Sequence, residues 1–490
     1  MKRNFKIIII MCAGILLLAG ALIALSCEDC GSEPVPSFSD VSAGDISSSD
    51  EGGIHLHHND SGELLAGGEE LKYVRLISDK GNYLVTRGSD GTLTIDRLSD
   101  MLLETDFLDI MWYNALSFGY SYSIHADESL KLSDFGLDPA ALTIECEYTD
   151  GTFCRLFVGD EVSGSPGIYY FRMEGREDIF LNEFDAAFFQ GDSYWVGDDI
   201  FGDDTDDVTI GRIRLSGSAF DRPITLERHN AGDKSDPFYD CNYIITSPYR
   251  GMADNYMTTL LTDELTELVA DEAVCVHPSD SQIVQYGLDD PYAVITHQRD
   301  GTERILRVAR ADASTLYAMA DGVDCIFMLD ADSFEMISAL SPESLRSSEV
   351  HVRYFDAVES MRIQAKGTDL TFTLRRTPLE TDNTLFEYRA YYGDTQLGLN
   401  NYKNLLEIFN SAAVVSYDGQ RESDTVTLKV TITYFDGLER KEEVIRYYPA
   451  GTRRHLAVID GESSVVVGQM WIDKFLESAW ALSRNEDVTP

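Results

Sequence analysis

The sequence predicts an α+β protein of three similar modules, each an antiparallel sheet with a packed amphipathic helix, placed after an N-terminal membrane anchor and a flexible linker. Three observations lead there. A repeated segment recurs three times around an Asp-Gly turn, at Asp150-Gly151, Asp300-Gly301 and Asp436-Gly437. Asp-Gly between alternating apolar and polar runs is a strong hairpin signal. An apolar stretch with helical spacing precedes each hairpin. Finally, 490 residues with 44% hydrophobic and 25% charged side chains make an ordinary globular balance. That length has room for roughly two to four domains.

Residues 1–27 are read as the anchor. Lys2, Arg3 and Lys6 precede an apolar run from Ile7 to Leu25, and Glu28 and Asp29 follow. A span needs roughly 20 apolar residues, and positive flanks stay cytoplasmic, so the body of the chain is expected outside the cytoplasm. An uncleaved helix and a lipoprotein signal both fit. Ala24-Leu25-Ser26-Cys27 is an imperfect lipobox, which makes Cys27 a lipidation candidate. Plain cleavage and release is the third alternative.

Residues 28–70 read as a flexible tether rich in Ser, Gly and acidic side chains. It holds His55, His57 and His58. Imidazoles alternating on an extended chain can take a soft divalent metal. In a Gly-flanked linker nothing preorganises them, so a solvated segment is the favoured reading.

The modules are placed at 71–195, 205–340 and 350–484. Their hairpin segments run from Ala141 to Val158, Ala293 to Val308 and Leu428 to Val444. Upstream, Met257, Leu260, Leu261, Leu265 and Leu268 share one helix face, as do Tyr402, Leu405, Leu406 and Phe409. The corresponding stretch from Met101 to Leu116 is more uniformly apolar and is expected to be more deeply covered. Cys146 and Cys154 flank the first turn. They face one another if the loop has three residues and point to opposite faces if it has two.

Tyr286-Gly287-Leu288-Asp289-Asp290-Pro291 before the Asp300-Gly301 hairpin, and then Leu316-Tyr317-Ala318, resemble the domain-of-unknown-function family 4340. Phe135-Gly136-Leu137-Asp138-Pro139 and Val158-Gly159-Asp160 repeat its hallmarks in the first module. The second module departs at Val308-Ala309-Arg310, and the third lacks the Gly-Leu-Asp segment. The resemblance implies a membrane-anchored extracytoplasmic protein associated with ABC-type transporter components. It implies no catalytic residues. Structural roles suffice for the motif: Gly136 and Gly287 supply positive φ, Pro139 and Pro291 lead into strands, and Gly151, Gly301 and Gly437 close turns.

With 84 Asp+Glu against 39 Lys+Arg, the net charge is −45. Phosphate recognition needs clustered Lys and Arg, so no nucleic-acid partner is expected. No nucleophile elbow, zinc helix or Walker loop is present. Asp203, Asp204, Asp206 and Asp207, with Asp198 and Asp199, form the densest acidic cluster. They are a weak calcium candidate beside the reading as a solvated loop. No other cofactor is expected. The sequence thus points to a non-enzymatic, membrane-tethered accessory or scaffold protein with a protein partner in a membrane complex. A carbohydrate- or envelope-polymer-binding surface protein built on its Tyr and Phe residues is the alternative, and an envelope hydrolase comes third.

Overall fold

The computed structural model describes residues 56–125, 130–201, 209–230, 232–380, 382–417 and 419–490. The apolar run at 7–25, Cys27, His55 and Asp203, Asp204, Asp206 and Asp207 lie outside them. Among the described residues no helix is long and apolar enough to cross a membrane.

The α+β expectation is overturned. Among the described residues the structure is mostly β, with 43% strand against 19% helix, arranged in four antiparallel sheets. The reason lies in short segments on either side of the helices. Tyr243–Ser247, ahead of the helix Asn255–Thr266, is a strand, and Glu272–Val276, after it, is another. Both are short and rich in β-branched or apolar residues, and each finds a neighbouring strand to hydrogen-bond. The few helices of the second and third modules are thereby outweighed by nine strands in each.

The second sheet runs from edge to edge as Gly251–Met252, Tyr243–Ser247, Ile224–Arg228, Ile210–Ser216, Ala293–Arg299, Thr302–Arg310, Thr315–Ala320, Cys325–Asp330 and Glu272–Val276. The third runs as Thr395–Leu397, Asp382–Tyr392, Thr368–Leu379, Val358–Ala365, Leu428–Tyr434, Glu442–Pro449, Arg454–Ile459, Glu462–Gly468 and Val414–Ser416. Position by position, the two orders are the same. Register in the hairpins follows alternation: Ile295 faces Leu306, and Val430 faces Ile445, all four fully buried. A shift of one residue would turn these side chains to the other face of the sheet.

The chain divides into two compact units. Among the described residues, one falls within Met1–Ala66, Ser117–Ala141 and Leu156–Phe184, and the other within Gly67–Leu116, Leu142–Arg155 and Asp185–Pro490. The expected module at 71–195 is therefore shared between them. In the first unit, Ile168–Met173 pairs with the end of Phe153–Glu161 and with Ile179–Glu183, which pairs with Tyr122–Ile124. Leu56–His58 adds to Tyr122–Ile124, so strand structure begins inside the segment read as a tether. In the second unit, Leu71–Ser78 pairs with Gly81–Arg87 and Leu142–Tyr148, and Leu93–Ile95 lies beyond Gly81–Arg87.

Four longer helices complete the fold: α1 (Thr105–Asn114), α2 (Asn255–Thr266), α3 (Leu399–Asn410) and α4 (Gln469–Ser483). Asp254 caps α2 by accepting from the Met257 N–H at 3.0 Å, satisfying one of the donors a helix start leaves free. Leu261 and Leu265 of α2 join a core with Ile213, Ile295 and Phe327. Leu405 and Phe409 of α3 join one with Ile363, Val430 and Phe475.

Within the second unit the connections between modules are paired segments. After α2, Ala270 N–H donates to Asp198 O at 2.7 Å, and Asp199 bridges Val269. On its other side the same connector bridges Leu103 through Val196, with Gly197 N–H donating to Leu102 O at 2.8 Å. The next connector repeats the device. Arg346 bridges Ala253, Ser347 N–H donates to Met252 O at 3.1 Å, and Glu349 bridges Ala413. In both places the connector lies between the residues leading into one helix and those leaving the next.

Candidate partner-binding surface

The three module helices α1, α2 and α3 occupy the same place in the repeat. Each buries one stripe: Leu108, Met111 and Trp112 in α1; Thr258, Leu261 and Leu265 in α2; Tyr402, Leu405 and Phe409 in α3. Their opposite faces differ. That of α3 shows Asn400, Lys403 and Glu407, and that of α2 shows Tyr256, Thr259 and Asp263. The outer face of α1 carries Phe107, Ile110 and Tyr113, exposed by 39%, 49% and 73%.

Helical spacing of i, i+3 and i+6 keeps these three side chains on one strip. Leu102, just before α1, is exposed too. Phe107 is steadied by a stacked ring, Tyr194, at 4.7 Å between centroids and 18° between planes. Burial pushes the Tyr194 hydroxyl pKa up, with Asp185 adding to the shift. Asp106 and Asp109 edge the strip, and Asp109 accepts from Arg87 Nη2 at 3.3 Å. The expectation that this helix would be the most deeply covered is therefore not met. Its uniform apolarity belongs to two faces, one in the core and one in solvent.

A second feature lies at the connector between the second and third modules. A hollow of about 410 Å³ is lined by Glu343, Arg346, Ser347, Ser348, Ser416 and Tyr417, among others. The Arg346 guanidinium sits 4.0 Å from the centre of the Tyr417 ring, and that ring stacks on Tyr249 at 4.0 Å. Burial lowers the Arg346 pKa, with Tyr417 opposing the shift. Its Nε and Nη1 have no acceptor among the described residues. A guanidinium fixed by ring stacking is suited to a carboxylate, but here it chiefly fastens the connector.

The residues singled out from the sequence are not brought together. His57 pairs across strands with Ser123, and His58 holds Asp60 at 2.7 Å and meets the Tyr122 ring edge-on. Asp198 and Asp199 serve the connector. Among the described residues no group of three or more His, Cys, Asp or Glu is placed to hold a metal. The adjacent tyrosines are engaged in packing: Tyr169 against Phe184, Tyr170 against Phe135, Tyr392 against Phe372, and Tyr391 under Arg375.

The motif glycines have a steric account. Gly136, at φ 67, and Gly287, at φ 75, both end a short helical turn in the left-handed region, while Gly151, Gly301 and Gly437 also take positive φ. Pro139 follows a cis peptide bond, and Pro291 lies just ahead of the strand Ala293–Arg299. Gly159 packs against the first of these turns so closely that an added Cβ would meet Phe135 O at 2.2 Å. In the second module a Cβ on Gly287 would stand at 3.5 Å from the Ala309 Cβ, an ordinary contact. Ala309 stands in the repeat where the first module has Gly159.

In the sequence, the α1 surface shows only as an apolar excess without a periodic gap, which reads as core. No family model, curated protein or solved structure matches this chain.

Proposed function

We propose that this protein is a membrane-tethered extracytoplasmic accessory or scaffold protein that docks a protein partner of a membrane complex on the outer face of α1. The observation that carries this reading is the strip of Phe107, Ile110 and Tyr113 on a helix whose counterparts in the repeat turn mainly polar residues outward. The fold does not require an apolar face there, since the same position is built without one in α3. Exposed contiguous apolar surface on a soluble body marks an interaction site, and aromatic anchors dominate such interfaces. The acidic rim of Asp106 and Asp109 favours a partner patch whose apolar centre is bordered by Lys or Arg. An ABC-type transporter subunit is the partner class that the family resemblance implies. Orientation rests on Lys2, Arg3 and Lys6 before the apolar run.

The test is mild cross-linking in native membranes followed by pull-down of the wild-type chain and of an Ile110→Glu/Tyr113→Glu variant. Recovery of a membrane-complex subunit by the wild type alone supports the reading. Retention of both proteins on cell-wall material, with no protein partner, overturns it.

A further inference from the structure

Cys146 and Cys154 lie on the two strands of the first hairpin, Leu142–Tyr148 and Phe153–Glu161. Their register is set at the turn, where Tyr148 N–H donates to Thr152 O at 2.9 Å and Gly151 N–H to Tyr148 O at 3.0 Å. Residues 149–151 are thus a three-residue loop, and counting back along both strands puts Cys146 directly opposite Cys154. The neighbouring position obeys the same register: Arg155 Nε donates to Glu145 Oε1 at 2.8 Å. The alternative left open by the sequence, with the two thiols on opposite faces, does not hold.

Both cysteines are free and buried, at 0% and 2% exposure. Directly opposed residues of an antiparallel pair have Cα atoms about 4.5–5.5 Å apart, inside the roughly 4.4–6.8 Å that a disulfide spans. The chain supplies its own contrast. Cys275 and Cys325 also lie on paired strands, but Cys275 packs with Leu288 and Ile326 while Cys325 packs with Ile295 and Phe327 in a different cluster. Those two thiols point to opposite faces of one sheet. Cys241 lies apart, with Phe238 and Met252.

We propose that Cys146 and Cys154 are a disulfide-forming pair, oxidised to a cross-strand disulfide by exchange with an external disulfide. The Cys154 thiolate attacks one sulfur of the oxidant, forming a mixed disulfide and expelling the other oxidant sulfur as a thiolate. Cys146 then loses its proton to water and attacks Cys154 Sγ, releasing the second oxidant sulfur. The two cysteines give up two electrons and two protons, and the oxidant's disulfide becomes two thiols. Because both side chains are buried, exchange takes place before the hairpin closes or while it opens locally.

The test is refolding of the full chain in oxidised glutathione, alkylation under denaturing conditions and peptide mapping. A linked peptide pair containing Cys146 and Cys154 is expected, about 2 Da lighter than its reduced components, with Cys275 and Cys325 alkylated. Reduction should then lower the melting temperature of the wild type by about 5 °C and leave a Cys146→Val/Cys154→Ala variant unchanged. Alkylation of both Cys146 and Cys154 after oxidative refolding, or pairing of either with another cysteine, overturns the proposal.

Discussion

Arg353 and Glu443 form a two-pronged ion pair with both side chains fully buried, Nε donating to Oε2 at 2.6 Å and Nη2 to Oε1 at 2.5 Å. Tyr434 donates to the same carboxylate at 2.8 Å, and Arg353 Nη1 donates to Val352 O at 2.6 Å. Taking these charges from water costs more than most surface pairs return, so the attached hydrogen bonds decide whether the arrangement holds. Removing one partner leaves the other buried and uncompensated. Glu443→Gln is expected to cost about 3–5 kcal/mol in urea unfolding, and Arg353→Met a similar amount. The double variant should lose less than the sum of the two.

His297 makes the fold sensitive to acid. It is 1% exposed, meets the Phe201 ring edge-on, and has no hydrogen-bond partner on either nitrogen among the described residues. Burial, with Arg299 and Arg304 nearby, pulls its pKa down from 6.5 to about 4. The folded state holds the ring neutral where the unfolded chain binds a proton, so stability is present above pH 6.5 and falls as pH drops toward 4. Burial and Arg353 push His351 in the same direction. Melting curves from pH 7.5 to 4.5 should show a steady decline, and His297→Leu should flatten part of it.

Gly159 and Ala309 should respond to substitution in unequal ways. Gly159→Ala forces a Cβ onto the Phe135 carbonyl and is expected to destabilise by about 1–3 kcal/mol. Ala309→Gly removes one methyl from an ordinary contact and should cost about 1 kcal/mol. Thermal unfolding of the two single variants checks the order, and a harmless Gly159→Ala would sink the close-approach explanation.

The outer face of α1 should tolerate polar residues. Ile110→Glu and Tyr113→Glu remove no core contact, so melting temperature should shift by no more than about 2 °C while partner recovery is lost. A large drop in melting temperature would instead place these side chains among the supports of the fold.

Much of the repeat was legible in the sequence, because Asp-Gly turns and alternating flanks act locally. Asp300-Gly301 forms the two-residue tip of a hairpin in which Ile295 faces Leu306, whereas Asp436-Gly437 lies within a longer loop, so that Val430 faces Ile445. The balance of strand to helix was not legible. Glu272–Val276 is stabilised by a partner well along the chain, Cys325–Asp330, and Tyr243–Ser247 by Ile224–Arg228 and Gly251–Met252, and a short apolar run does not announce whether a neighbour awaits it. Nor could apolarity alone divide the helix at Phe107, Ile110 and Tyr113 into an inner and an outer face. The Cys146–Cys154 question turned on one backbone hydrogen bond, from Tyr148 to Thr152, that composition cannot supply.

The connector at 345–350 has a mechanical consequence. Its N–H and C=O groups are spent on the residues before α2 and after α3, so no slack length separates the second module from the third. A pull applied to one would load a row of backbone bonds instead of straightening a coil. Under tension the pair should yield as one body in a single large extension.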